Sequence, residues 1–180
     1  MEYDNQSRAS LNFITGGTIN GESDQVKKRW QNGYKAIARA NILLEKLEDA
    51  NSVGISEEEK KQLYRAQTLF VRATQYAILT SLFGDVVYID KEISIDEAFE
   101  MGRTDREEVM ENVYKDLDEA AHYLPETYGT QREFATKGAA YAIKARYALY
   151  NEDWNLRHKQ QKNVWIYRYM NFIRTSRSRL

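Results

Sequence analysis

The stretch LYRAQTLFVRATQYAILTSLFGD, from Leu63 to Asp85, decides the fold of this chain. Its small and apolar residues recur at steps of three and four, which places them on one face of a helix: Leu63, Ala66, Phe70, Ala73, Ala77 and Thr80/Ser81. A second apolar flank contains Leu69, Tyr76, Leu79 and Phe83. Gly84 ends the pattern, as glycine commonly ends helices. The stretch therefore predicts a central helix that is buried on two sides.

One further helix is predicted before this central helix, and a capping motif marks where the central helix starts. The first begins at Ser23 or Asp24 and runs to about Asp49, with one stripe formed by Trp30, Tyr34, Ile37, Asn41 and Leu44. We interpret Asn41 as a buried amide whose partner is a neighbouring carbonyl. Ser56 and Glu59 have the spacing of a capping box, which starts the central helix after a short connection.

After Asp85, the β-branched and aromatic residues 86–89 predict either a short strand or an extended strap, followed by an acidic, irregular segment to Gly102. A second capping box, Thr104 and Glu107, starts another helix that ends before Pro125. Thr136 is the predicted cap of a last helix, which runs to Tyr150.

Amphipathic helices with alanine-rich contact faces and short connections are typical of tetratricopeptide-like repeats. We therefore predict an all-α fold of stacked helical hairpins, an α-α superhelix. The predicted division of the chain is an extended lead-in at residues 1–22, a helical-repeat domain at residues 23–154 and an aberrant basic tail at residues 155–180.

Charge is distributed unevenly along the chain. Residues 1–154 hold 19 Lys and Arg against 27 Asp and Glu, whereas residues 155–180 hold seven basic residues and no acid. One interpretation is a basic, aromatic tail that binds nucleic acid or anionic lipid. The interpretation that we favour is a frameshift after Trp154, because composition changes abruptly inside a repeat.

Several motifs, taken in order, resemble the SusD/RagB family. They are Trp30-x-x-Gly33-Tyr34-x-x-Ile37-x-x-x-Asn41, then Phe70-Val71-Arg72-Ala73 with Tyr76, Leu79 and Phe83-Gly84-Asp85-Val86, then Asp116-Leu117-x-x-Ala120 with Leu124-Pro125, and finally Arg132 with Thr136-Lys137-Gly138-Ala139-Ala140, Ala145-Arg146 and Leu149-Tyr150. Val87 stands where the family usually has proline. The resemblance covers about residues 26–154.

The resemblance implies a non-catalytic glycan-binding protein on the outer face of the outer membrane, with a SusC-like TonB-dependent transporter and an oligosaccharide as partners, no nucleic acid and no cofactor. Members of this family are about three times as long and begin with a signal peptide and a lipidated cysteine. This sequence shows no secretory signal pattern at its start and contains no cysteine. We therefore expect a truncated, N-terminal part of such a protein.

Sugar binding would use aromatic faces that stack on pyranose rings. Aromatic residues in the helical stripes are predicted to be core: Trp30, Tyr34, Phe70, Tyr76, Tyr147 and Tyr150. Those outside the stripes are the glycan-binding candidates, foremost Tyr88, Phe99 and Tyr128, with Tyr3 and Phe13 beside them. Trp154 lies at a repeat turn and fits either group.

Other function classes have less support. His122 and His158 lack ligand spacing, so we expect no metal site. Glu92, Asp96 and Glu97 could supply a carboxylate pair for glycoside hydrolysis, but a solvated acidic loop explains them better. We therefore expect no enzyme. A free-standing tetratricopeptide-like adaptor that holds a peptide in its groove is the alternative function.

Overall fold

A computed structural model describes residues 16–48, 58–129 and 133–154 together with Asn163. Within these ranges the chain forms five helices and no strand: α1 Asp24–Glu48, α2 Glu58–Phe83, α3 Ile95–Glu100, α4 Arg106–Tyr123 and α5 Lys137–Tyr150. The all-α prediction is confirmed. None of the helices in the described part combines the length and the apolarity that crossing a bilayer requires.

Helix α2 is central, as its two apolar flanks predict. It packs against α1 on one side and α4 on another, and it also touches α5, which packs mainly against α4. Three of its alanines are fully buried in these contacts, Ala66, Ala73 and Ala77. Their small side chains let neighbouring helices approach, while Leu69, Tyr76 and Leu79 fill the remaining space.

The contact between α1 and α2 depends on one glycine. A Cβ atom added to Gly33 would lie 3.1 Å from both Cδ atoms of Leu79, closer than ordinary van der Waals contact. Gly33 therefore allows α1 to lie directly over Leu79, which is why a helix-weakening residue occupies the middle of α1.

The helix starts follow the sequence with one correction. Ser23 precedes α1, Thr136 caps α5 by accepting a bond from the Ala139 amide, and Ser56 lies outside the described residues. Helix α4, however, is capped by Asp105 rather than Thr104. The amide and carbonyl of Thr104 instead pair with Val86 as an isolated bridge, so the helix begins after this pairing.

A short helix was missing from the sequence prediction. Helix α3 lies inside the acidic segment that we expected to be irregular, and it begins with a complete capping box between Ser94 and Glu97. The signal was present as Ser-x-x-Glu, but no apolar stripe of useful length follows it. All the α3 side chains that the structure describes are exposed.

The segment from Val86 to Lys91 is not a β-strand, so of the two predicted alternatives it is the strap. We call this segment the strap. Apart from the bridge between Val86 and Thr104, the strap pairs with no neighbouring backbone within the described residues.

Two of the predicted segments are described only in part. The lead-in is described from residue 16 onward, and of the tail at residues 155–180 only Asn163 is described.

Candidate functional site

A buried ion pair joins α2 to α4 near the strap. Arg72 of α2 donates from Nε to Oδ2 of Asp116 and from Nη2 to Oδ1, both at 2.8 Å, and Asp116 belongs to α4. The two residues are 7% and 9% exposed. This two-bond geometry matches the planar guanidinium to the carboxylate, which is the strong form of such a pair.

The same arginine also reaches the strap. Its Nη1 donates to the Asp90 carbonyl at 3.0 Å and to Oδ1 of Asn41 at 3.1 Å. The Asn41 amide nitrogen in turn donates to the carbonyls of Ile89, at 2.9 Å, and Lys91, at 3.1 Å. The predicted role of Asn41 as a buried amide bonded to a carbonyl is confirmed.

Two tyrosines complete the attachment of the strap. Tyr34 Oη donates to the Val87 carbonyl at 2.8 Å. Tyr76 Oη donates to the Ile89 carbonyl at 2.9 Å and accepts from the Ile89 amide at 2.7 Å. Since buried backbone groups need partners, these side chains replace the neighbouring strand that the strap lacks.

Burial and the hydrogen bonds between Arg72 and Asp116 act on the pKa values of both residues. Burial raises the pKa of the Asp116 carboxyl, and the bonds from Arg72 oppose that shift. Burial by itself lowers the pKa of Arg72, but the bonds to Asp116 and its charge outweigh this effect, so the pKa of Arg72 is raised. With two short bonds between them, the residues form a charged pair whose members depend on each other.

Beside this pair lies an open cleft with a volume of about 520 Å³, here called the strap cleft. Its lining combines one aromatic ring, amides and charges of both signs. The lining residues come from α1, α2, α4, the strap and the residue that follows the strap: Asn41, Leu44, Glu45, Glu48, Arg65, Arg72, Tyr88, Asp90, Lys91, Glu92, Asn112, Lys115 and Asp116. The volume lies in the range of small-molecule sites.

Tyr88 is the predicted site residue that the structure places in the strap cleft. The centroid of its ring lies 4.8 Å from that of the buried Tyr76 ring, so the Tyr88 ring packs against Tyr76. Burial raises the pKa of the Tyr88 phenol to about 12, with the Asp116 charge acting in the same direction. Tyr88 is therefore a neutral, partly buried ring at the cleft wall.

The other two candidates do not join it. Phe99 lies on α3, is 85% exposed and does not line the strap cleft. The Tyr128 ring is tilted against the Phe134 ring, with 5.2 Å between their centroids, and Tyr128 Oη accepts a hydrogen bond from the Gln67 side-chain amide at 2.9 Å. The structure thus separates Tyr88, Phe99 and Tyr128 instead of bringing them together. Tyr3 and Phe13 lie outside the described residues.

The predicted core aromatics include one error. Tyr76 and Tyr147 are buried, while Trp30, Tyr34 and Phe70 pack against the core. Tyr150, however, is 56% exposed, and it is the last residue of α5. Trp154, which the sequence left undecided, is half exposed.

The pairing of Arg72 with Asp116 was not predicted from the sequence. Each is a charged residue between apolar core positions, Arg72 between Leu69 and Ala73 and Asp116 beside Leu117. A charge at a core position predicts a buried partner, since an unpaired charge is costly there. That signal was available, although it does not say which opposite charge is the partner.

Of the carboxylates considered for hydrolysis, Glu97 is hydrogen-bonded within the N-cap of α3. Glu97 accepts from the Ser94 amide at 2.8 Å and from its hydroxyl at 3.0 Å, and these bonds lower the pKa of Glu97. Among the described residues no group of three or more His, Asp or Glu side chains is placed to hold a metal ion.

The model of the SusD-like family, described as starch-binding and associating with the outer membrane, matches residues 1–149. The chain belongs to the SusD-like family. The resemblance inferred from the motifs is thereby confirmed.

Two curated SusD-like proteins from Formosa agariphila are similar in sequence. SusD-like protein P25 is 31% identical over 130 residues, which are 72% of this chain and 24% of that protein. SusD-like protein P2 is 33% identical over 148 residues, which are 81% of this chain and 28% of that protein. The SusD-like chain thus spans about a quarter of the length of these relatives.

Solved structures agree with the fold. A laminarin-binding SusD-like protein superposes with a TM-score of 0.78 at 26% identity, covering 89% of this chain and 34% of its own. A SusD-like protein from Bacteroides fragilis gives 0.75 at 26% identity, covering 84% of this chain and 29% of its own. These neighbours are helical and tetratricopeptide-like, which confirms the predicted fold class.

The buried pair generates a stability prediction. Arg72→Met leaves Asp116 buried without its partner and is expected to lower the free energy of unfolding by about 3–5 kcal/mol. The matched control is Arg65→Met, which breaks the more exposed contacts of Arg65 with Glu48 and Glu119 and should cost about 1 kcal/mol or less. Urea denaturation measures both. Equal costs for the two variants would contradict the role assigned to Arg72.

The strap tyrosines generate a pH prediction. Burial raises the pKa of Tyr34 from 10.0 to about 12. The unfolded chain therefore loses this phenolic proton near pH 10, whereas the folded chain keeps it to about pH 12. Stability should fall as pH rises through this window, because the unfolded state binds fewer protons there.

Thermal melts across the same window measure this effect. Tyr34→Phe removes one of the titrating groups, so its melting temperature should fall less steeply with pH than that of the wild type. Tyr64→Phe, at an exposed position on α2, is the matched control. A slope in Tyr34→Phe as steep as in the wild type would show that Tyr34 does not carry the effect.

Proposed function

We propose that this chain is the helical part of a non-catalytic oligosaccharide-binding protein that works at the outer face of the outer membrane. The observation that carries the proposal is the SusD-like match over residues 1–149, whose family is described as starch-binding and associating with the outer membrane. The laminarin-binding neighbour of similar fold gives independent support for a glycan ligand.

Within the described residues, the strap cleft is the place where we propose that sugar makes contact. It offers the chemistry that oligosaccharides need: the Tyr88 ring for an apolar sugar face, and amides, guanidinium and carboxylate groups for hydroxyls. Tyr88 is backed by Tyr76, and the strap that carries it is fixed by four side chains, so little ordering is needed on binding.

We also propose that the helices form a rigid surface for a TonB-dependent transporter of the SusC type. Helical repeats present large, stiff surfaces of this kind. The unit formed by residues 23–154 is the proposed scaffold, and residues 155–180 are proposed to lie outside it. Because residues 1–180 correspond to about a quarter of the length of the curated relatives, we expect the affinity of these residues alone to be modest.

The glycan proposal predicts binding that depends on the strap cleft. In titration calorimetry with laminarin oligosaccharides and, separately, maltooligosaccharides, one of the two series should bind, and Tyr88→Ala should weaken it by about tenfold, equivalent to about 1.4 kcal/mol. Lys115→Ala tests the rim of the cleft without touching the buried network, because Lys115 is exposed.

The matched control for this experiment is Tyr64→Ala, which removes an exposed tyrosine from α2 outside the cleft. Circular dichroism checks that each variant keeps its helices. Binding that is absent for both series, or equally weakened by Tyr64→Ala, would count against the strap cleft as the sugar site.

The transporter proposal predicts a stable complex. The tagged chain, mixed with detergent-solubilised SusC-like transporter from the same uptake system, should retain that transporter on an affinity column. An unrelated TonB-dependent transporter serves as the control. Retention of neither protein, or of both equally, would contradict a specific partnership while leaving the glycan result unaffected.

A further inference from the structure

A second cleft lies on α1 beside the strap, and its walls are mainly isoleucine. Its volume is about 140 Å³, and we call it the isoleucine groove. Three polar or charged residues belong to its lining, Asn41, Lys91 and Glu92. The apolar and aromatic lining comes from α1, the strap and the chain just before α3: Tyr34, Ile37, Ala38, Ile42, Ile89 and Ile93.

The isoleucine groove adjoins the strap cleft. Asn41, Lys91 and Glu92 line both cavities. Tyr88 and Ile89 are consecutive residues of the strap, and Tyr88 lines the strap cleft whereas Ile89 lines the groove. A ligand that rests on the Tyr88 ring can therefore place one of its substituents in the groove.

The polar atoms inside the groove are already used to hold the strap. Asn41 donates from its amide nitrogen to two strap carbonyls and accepts from Arg72 at its oxygen. Tyr34 Oη donates to the Val87 carbonyl. The two charged residues of the lining are exposed. A sugar hydroxyl inside the groove would find few partners to replace water, which is costly, whereas an apolar group needs none.

Hydrogen bonds hold the walls of the groove in place. Tyr76 Oη bonds both the amide and the carbonyl of Ile89, so this part of the strap cannot shift alone. On the other side, Ile93 directly precedes Ser94, whose capping box with Glu97 starts α3. A preformed apolar groove needs little ordering when it is filled, so more of the contact energy appears as affinity.

We propose that this site binds an oligosaccharide that carries a short O-acyl group, with the sugar in the strap cleft and the acyl chain in the isoleucine groove. The inference rests on the proposed glycan function and adds the class of glycan to it. A volume of about 140 Å³ lies below the range of about 300–1,000 Å³ that is usual for a whole ligand. The groove therefore suits a substituent of a larger ligand better than a separate lipid.

Selection from a mixture tests this inference. Laminarin oligosaccharides and maltooligosaccharides, each butyrylated at random to a low degree, are passed over the immobilised chain. Mass spectrometry then compares the bound and unbound fractions. Singly butyrylated molecules should be enriched about tenfold over unmodified ones in the bound fraction of one series, equivalent to about 1.4 kcal/mol or roughly two buried methylenes.

The two ways in which this experiment can fail are distinguishable. Retention of unmodified and butyrylated molecules in equal proportion would overturn the acyl inference and leave the proposed glycan function intact. Retention of neither form, in either series, would overturn both.

Variants of the groove locate the effect. Ala38→Phe places a ring in the groove from an exposed position and should abolish the enrichment while unmodified oligosaccharide still binds. The matched control is Ala142→Phe, at an exposed alanine of α5 that lines neither cavity.

A second pair of variants makes the groove polar without filling it. Ile42→Asn should lower the enrichment, whereas Leu43→Asn, at the next and more exposed position of α1, should not. Circular dichroism checks that each variant keeps its helices. Enrichment that persists in both Ala38→Phe and Ile42→Asn, or that is lost equally in their controls, would overturn the assignment of the acyl chain to this groove.

Discussion

The charged pair between Arg72 and Asp116 is the constraint on which the position of the strap depends. It links α2 to α4 in the interior, where each charge would be costly without the other. Arg72 has donors left after pairing, and it uses them for Asn41 and the Asp90 carbonyl. One side chain thus connects α1, α2, α4 and the strap. The packing of apolar stripes brings the helices together, but this arginine fixes where the strap lies on them.

Much of the fold follows from periodicity. The stripe of α2 predicts its burial correctly, since Ala66, Ala73 and Ala77 have no exposed surface. Asn41 was predicted to bond a carbonyl because an amide in an apolar stripe has few other options. Local patterns of this kind depend on residues three or four positions apart, which the sequence displays directly.

Contacts across the chain were not predictable in the same way. Arg72 and Asp116 are 44 positions apart, and the spacing of neither residue indicates the other. The cap of α4 is Asp105 and not the predicted Thr104, because a distant residue, Val86, pairs with the Thr104 backbone. Likewise Phe99 and Tyr128 looked equivalent to Tyr88 in sequence, yet of these three candidates the structure places Tyr88 alone at the strap cleft. Its position depends on how side chains of α1 and α2 hold the strap.

The way in which the strap is attached has a consequence for folding kinetics. Its partners Tyr34 and Asn41 lie 53 and about 50 positions away in the chain, and they act from α1, whereas Arg72 and Tyr76 act from α2. The strap is not attached by a ladder of backbone hydrogen bonds along which pairing could spread from one residue to the next. We therefore expect the strap to settle only after the helices have assembled, so that its contacts slow the unfolding rate and leave the folding rate almost unchanged.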